Sequence, residues 1–365
     1  MNEETGIVNH LNFNELGNVP YPDFSSGVVL YHRSCTDGFM SAWLLWIAAK
    51  LINETLAIKN PEKQINLQFI PVQYKEEIPN INNIKENDTL YIVDFSYSPT
   101  DMLELAKKFK KIIMLDHHES AAEWYNYGCY CFDISVCYHN DNELRHHQTA
   151  FFTKLIKEKS GAGLTLKYVD DMVFSRISKT FNDHPIIEKL DLIRSLAIRV
   201  EDRDIWNFYH SDTRVVHTLL NNKNYSFEWW YKLIVEMSDS EFADEFNKAK
   251  IEEGIKIHYE NLWSKRVSVV KFEGYDIAVI NCPSDFASNT CDLISKDYPF
   301  VIAWSASSTK VFMSLRSNKE NGVNVKEIAK KYGGGGHINA AGVSIDSSKL
   351  YLFLSGQLNE HNYKD

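Results

Sequence analysis

Four short apolar runs, at residues 27–32 (GVVLYH), 68–72 (QFIPV), 89–94 (TLYIVD) and 111–116 (KIIMLD), alternate with helix-patterned segments at 39–50 (FMSAWLLWIAAK) and 102–109. Runs this short, apolar on both alternating faces, suit strands covered by helices on both sides of a parallel sheet. Strands that alternate with helices imply βαβ crossovers, so the expected fold is α/β with an N-terminal doubly wound, mostly parallel sheet.

The chain continues well past that sheet. Residues 160–200 read as helices, with Ser160 and Gly161 placed to open the first. The stretch 216–262 is charged, aromatic and helical. Strand patterns return at 267–272, 275–281, 300–305 and 311–316, followed by a helix over 325–332 and a glycine run. With 365 residues, 44% of them hydrophobic, the chain can bury two cores. The expected division is an N-terminal arm at 1–24, a first domain at 25–215, a helical connector at 216–262 and a smaller C-terminal α/β domain at 263–365. No internal repeat is visible.

A net charge of −10 argues against a protein that grips extended duplex nucleic acid, because phosphate neutralisation needs clustered Lys and Arg. The six cysteines come without an N-terminal apolar leader pattern, which points to free thiols and a cytoplasmic protein. No run approaches the roughly 18 apolar residues of a membrane span, so no membrane partner is expected.

Ligands of open α/β sheets gather at the carboxyl ends of strands. Three strands end there in polar residues: His32, Asp94, and the triplet Asp116-His117-His118, with Asp37 on the loop beyond His32. Taken singly, Asp94 reads as a turn or cap residue, and His32 equally as a buried imidazole or a ligand. Together with Asp37 and His117 they form a mixed nitrogen and oxygen set suited to Mn²⁺ or a similar divalent ion. A pair of such ions activates water and stabilises both the attacking and leaving oxygens of a phosphoryl group. In the C-terminal part, Gly333 to Gly336 and His337 precede Ala340-Ala-Gly342. The run reads either as a flexible turn or as a nest whose N–H groups hold an anion, with His337 and the strand-borne Arg316 as phosphate partners.

These motifs, in this order from about residue 27 to 345, resemble the DHH-family phosphoesterases with a C-terminal DHHA1 domain, including the nanoRNase or oligoribonuclease type. The resemblance implies a two-manganese site between two domains, the second of which holds the substrate. His32 and Asp94 would bind the first metal; Asp37, Asp94 as a bridge, His117 and a fourth-motif Asp would bind the second. That Asp is Asp202 or Asp204, and the Asp204-Ile-Trp206 spacing favours Asp204. His118 would face the substrate phosphate, Asp116 would orient His117, and Arg316, Gly334, Gly335, Gly336 and His337 would hold the phosphate. One residue departs from the family pattern: many members carry a further Asp where this chain has Cys35. Its thiolate is either a ligand, which favours Zn²⁺ over Mn²⁺, or a small packing residue.

The expected function is metal-dependent hydrolysis of a short oligonucleotide or related small nucleotide phosphoester, with one or two Mn²⁺ ions and Mg²⁺ or Zn²⁺ as alternatives. Cyclic dinucleotides, 3′-phosphoadenosine 5′-phosphate and polyphosphate are the other substrate classes, and a non-catalytic nucleotide-binding descendant is the reading from a different class. A homodimer is compatible with the sequence. Cys129, Cys131, Cys137 and His139 are too irregularly spaced for a zinc site and read as buried or strand-edge residues. His146 and His147 read as a solvated loop. The cluster Trp229-Trp230-Tyr231 reads as interdomain packing in preference to a base-stacking platform.

Overall fold

Thr89–Val93 (β3) is buried at every position, which only a strand covered on both faces allows. The computed structural model describes residues 24–57, 61–118, 121, 150–156, 158–221, 225–320 and 322–364, in two compact units that divide at Lys250 and Ile251. In the first unit β3 lies at the centre of a sheet with Gly27–His32 (β1), Leu67–Val72 (β2), Lys111–Asp116 (β4) and Ala150–Leu155 (β5), in the order β2-β1-β3-β4-β5. Every adjacent pair is parallel.

The two-residue period of each strand sorts its side chains between two cores. Val29, Tyr91, Val93, Ile113 and Leu115 pack with Thr36–Thr55 (α1), Gly161–Val169 (α3) and Leu190–Asp204 (α4). Val28, Leu30, Leu90, Ile92, Ile112 and Met114 pack on the other side with Pro99–Ala106 (α2). This is the doubly wound arrangement that the alternating runs predict. Its strand order reverses between β1 and β3, so their carboxyl ends flank the crevice where such sheets take ligands.

The stretch expected to form a separate connector is in large part core. Val216, Leu219, Leu220, Trp230, Leu233 and Ile234 are buried in the first unit, and the unit boundary falls inside the helix Asp239–Trp263. Trp230 meets Phe39 edge-on at 4.8 Å and is fully buried, so it belongs to the interior of one unit and is neither interdomain packing nor a base platform. The sequence alone does not show that this cluster meets α1.

The second unit is built on a six-stranded sheet in the order β10-β11-β9-β8-β7-β6. The strands are Ser268–Phe272 (β6), Tyr275–Asn281 (β7), Val301–Ala306 (β8), Lys310–Arg316 (β9), Gly335–His337 (β10) and Ala340–Asp346 (β11). Only β7 and β8 pair in parallel. Ser284–Ile294 (α5) covers one face through Ala287, Cys291 and Ile294 against Ala278, Ile280, Val301 and Ala303. Val325–Lys331 (α6) covers the other with Met313, Leu315, Ala341 and Val343.

Candidate metal centre

β1, β3 and β4 deliver their last residues to one place. His32 closes β1, Asp94 follows β3, Asp116 closes β4, and His117 and His118 follow it. Asp94 has a left-handed backbone, φ 52°, which turns its side chain off the strand. The turn is crowded: a Cβ added to Gly161 would lie 2.5 Å from the Asp94 Cβ and 2.9 Å from Asp37 Oδ2, so only glycine lets α3 approach.

The side chains converge around Asp94, which is 1% exposed. His32 Nδ1 lies 3.3 Å from its Oδ2, and His117 Nε2 lies 3.2 Å from its Oδ1. His117 Nε2 is also 3.2 Å from Asp204 Oδ2 and 3.9 Å from Asp37 Oδ2. Among the described residues, three overlapping sets have donor atoms within 4.8 Å of one another: His32, Cys35 and Asp94; Asp94, His117 and His118; and Asp37, His117 and Asp204. The residues singled out at the strand ends are thus brought together, and Asp204, on the last turn of α4, joins them.

Both carboxylate oxygens of Asp94 and Nδ1 of His32 are buried without a hydrogen bond among the described residues. A buried carboxylate whose oxygens make no hydrogen bond and face the ring nitrogens of His32 and His117 suits a divalent cation held between them. The electrostatics agree. Burial, and then the neighbouring carboxylates of Asp94 and Asp204, raise the Asp37 carboxyl well above its ordinary value. Burial followed by Asp94 raises Asp204, against the lowering effect of His117. Burial alone would depress His117, but Asp204, Asp94 and Asp37 hold its imidazolium well above the ordinary histidine value. A divalent ion relieves the mutual repulsion of three carboxylates that protons otherwise offset.

Supporting contacts appear that the sequence does not announce. Gln73 Oε1 accepts the backbone N–H of Tyr74 at 3.0 Å and lies 3.1 Å from His32 Nε2. A carbonyl oxygen only accepts, so Nε2 is the donor and Nδ1 is left facing Asp94. Asp37 is held by the start of α3: Ser160 Oγ donates to Oδ1 at 2.6 Å, Ala162 N–H to Oδ1 at 3.0 Å and Gly161 N–H to Oδ2 at 2.7 Å. Ser160 was recognisable as a helix opener, but nothing local marks its partner 123 residues away.

Two assigned roles change. Asp116 pairs with His118 and not with His117: its Oδ1 is 2.7 Å from His118 Nδ1, because side chains two apart in extended chain leave the same side. Asp202 is not among the converging donors. Its carboxylate accepts from Tyr209 N–H at 2.9 Å, His210 N–H at 3.1 Å and the Thr213 hydroxyl, and so closes the loop after α4. These donors offset burial and lower its pKa.

In the second unit, Arg316 donates to the carbonyls of Leu315 and Ala341 at 2.9 and 3.4 Å and to Ser288 Oγ on α5 at 2.8 Å. Ala340 pairs with Arg316 on one side and His337 on the other, so the three share one face of the sheet with only a methyl group between the two basic residues. The glycine run differs from the expected nest or flexible turn, since Gly335 and Gly336 belong to β10 and pair with Gly342 and Ala341. A Cβ on Gly334 would meet the Gly342 carbonyl at 2.1 Å, so its absence serves close strand approach. Cys129, Cys131, Cys137, His139, His146 and His147 lie outside the described residues.

Residues 281–358 match the family model of the DHHA1 domain. An uncharacterized protein of Acanthamoeba polyphaga mimivirus is 25% identical over 335 residues, 88% of this chain and 68% of its own length. Among solved structures, a DHH domain described as a member of the s1p family of ribosomal proteins superposes with a TM-score of 0.54 at 12% identity, over 90% of this chain and 85% of its own. The exonuclease RecJ bound to manganese gives a TM-score of 0.46 at 12% identity, over 93% of this chain and 91% of its own.

Proposed function

We propose that this chain, a DHH-family protein with a C-terminal DHHA1 domain, hydrolyses a phosphoester in a short oligonucleotide or related small nucleotide. The single observation that carries this reading is the buried carboxylate of Asp94, with neither oxygen hydrogen-bonded, set between the ring nitrogens of His32 and His117. His32, Asp94, Asp37, His117 and Asp204 would hold one or two divalent ions, Mn²⁺ being the expected one. When bound, such ions supply Lewis-acid activation of a water and of the phosphoryl oxygen.

The chain's own residues prepare that chemistry. Gln73 fixes the His32 tautomer, and the N-terminus of α3 fixes Asp37. Asp116 orients His118, which we assign to the substrate phosphate. We assign Arg316 and His337, on one face of the second sheet, to the phosphate or nucleotide as well. The acidic balance of the chain supports a small substrate over an extended duplex.

The test is a hydrolysis panel with Mn²⁺ over di- and trinucleotides, cyclic dinucleotides, 3′-phosphoadenosine 5′-phosphate and polyphosphate. Short oligonucleotides should be cleaved by the wild type, and Asp94→Ala and His117→Ala should abolish that cleavage with the fold intact. Cleavage that survives either substitution would overturn the assignment. Tight nucleotide binding with no turnover of any substrate would instead favour a non-catalytic binding protein.

A further inference from the structure

Cys35 is out of keeping with both bland uses of a cysteine. It occupies the N-cap of α1, where Ser, Thr, Asp or Asn would hydrogen-bond the first turn, yet its side chain makes no capping bond. Nor does it pack as the other described cysteines do. Cys282 and Cys291 are buried in an apolar cluster under α5, whereas Cys35 is partly exposed and belongs to none of the apolar clusters among the described residues.

Its neighbours are instead donors. Cys35 Sγ, a ring nitrogen of His32 and a carboxylate oxygen of Asp94 lie within 4.8 Å of one another. Two of these partners present buried polar atoms that make no hydrogen bond among the described residues. His32 turns Nδ1 inward because Gln73 occupies its other nitrogen, and Asp94, 1% exposed, has neither oxygen hydrogen-bonded. Sulfur, nitrogen and oxygen donors together are the donor set of a zinc-type site. Soft thiolate favours Zn²⁺ or Co²⁺ over Mn²⁺. The set Asp37, His117 and Asp204, by contrast, contains no sulfur.

We propose that Cys35 is a metal ligand that makes the His32, Cys35 and Asp94 position selective for a softer divalent ion, while the Asp37, His117 and Asp204 position takes a harder one. This rests on the reading of the strand ends as a metal centre. On ligation the Cys35 Sγ–H proton passes to solvent and the sulfur electron pair forms the bond to the ion, with no change of oxidation state. The protein would then carry two different metals in adjacent positions.

The experiment is a Co²⁺ titration of the full-length, chelator-stripped protein, followed by absorption spectroscopy and then by displacement with Zn²⁺ and Mn²⁺. The wild type should show a near-ultraviolet sulfur-to-cobalt charge-transfer band that Zn²⁺ displaces far more readily than Mn²⁺. Cys35→Ser should lose the band while keeping the visible cobalt bands of the remaining ligands, which also shows that the variant folds. Cys35→Asp should lose it too and shift the competition toward Mn²⁺. The Zn²⁺ preference should fall by at least the roughly 10–100-fold that loss of a supporting partner costs a metal site. Cobalt binding with no thiolate band, or a band that persists in Cys35→Ser, would overturn the role of Cys35 and leave the metal centre standing. No cobalt binding at all would overturn both.

Discussion

The carboxyl end of the parallel sheet and the α5 face of the mixed sheet both gather polar side chains, in opposite states. At the first, Asp94 is buried with neither oxygen hydrogen-bonded and three carboxylates stand close together. At the second, the Arg316 guanidinium already donates to two carbonyls and a hydroxyl, and His337 is exposed beside small residues. The first balances its carboxylates only through protons and the His117 ring, which a divalent ion could replace, whereas the second is satisfied by its own hydrogen bonds and offers a surface. Metal binding should therefore be coupled to the stability of the first unit, and substrate contacts of the second should leave it nearly unchanged.

Substitutions that disturb the first region should have the larger effects. Gly161→Ala places a methyl group against Asp94 and Asp37. It should cost about 1–3 kcal/mol in stability by overpacking and remove tight metal binding, as read by thermal melting and metal titration. An unchanged metal affinity would mean that α3 does not set the position of Asp94. Gln73→Ala frees the His32 ring and should weaken divalent-metal affinity by roughly 10–100-fold with little change in melting of the metal-free protein. Equal affinity in the variant would contradict the tautomer argument.

Smaller effects on metal binding should follow elsewhere. Asp202→Ala removes the acceptor for two N–H groups and a hydroxyl, and should cost about 1–3 kcal/mol in denaturant unfolding. Its loss of metal affinity should be less than that of Gln73→Ala; a greater loss would return Asp202 to the ligand set. Arg316→Ala should leave metal affinity unaltered and raise KM, by about tenfold or more, with kcat little changed. A fall in kcat alone would separate Arg316 from substrate binding.

The contrast between regions also marks what the sequence could show. His32, Asp94 and Asp116 were legible because strand period and apolar runs locate strand ends, and a parallel sheet gathers those ends in space. Asp204 was legible only through a resemblance in spacing. Gln73, Ser160 and Gly161 were not visible as site residues, because their partners are brought in by the pairing of β1 with β2 across 41 positions and by the packing of α3 across more than 120. The pairing of Asp116 with His118 depends on where extended chain ends, which a triplet of titratable residues does not reveal. The strand at Gly335–His337 was not visible because two of its three residues are glycines, which carry no hydrophobic period. Residues 216–262 were assigned to a connector because their charged and aromatic pattern hid which face of the part up to Lys250 meets the first core.

The central claim is that Asp94 is the residue around which a divalent ion is held. Titration calorimetry of Mn²⁺ into the metal-stripped protein tests it most directly, with Asp94→Asn as the comparison because that change keeps the shape and removes the charge. The wild type should bind at least one ion, and Asp94→Asn should retain the circular dichroism of the wild type and show no tight binding. Wild-type affinity in Asp94→Asn would contradict the account.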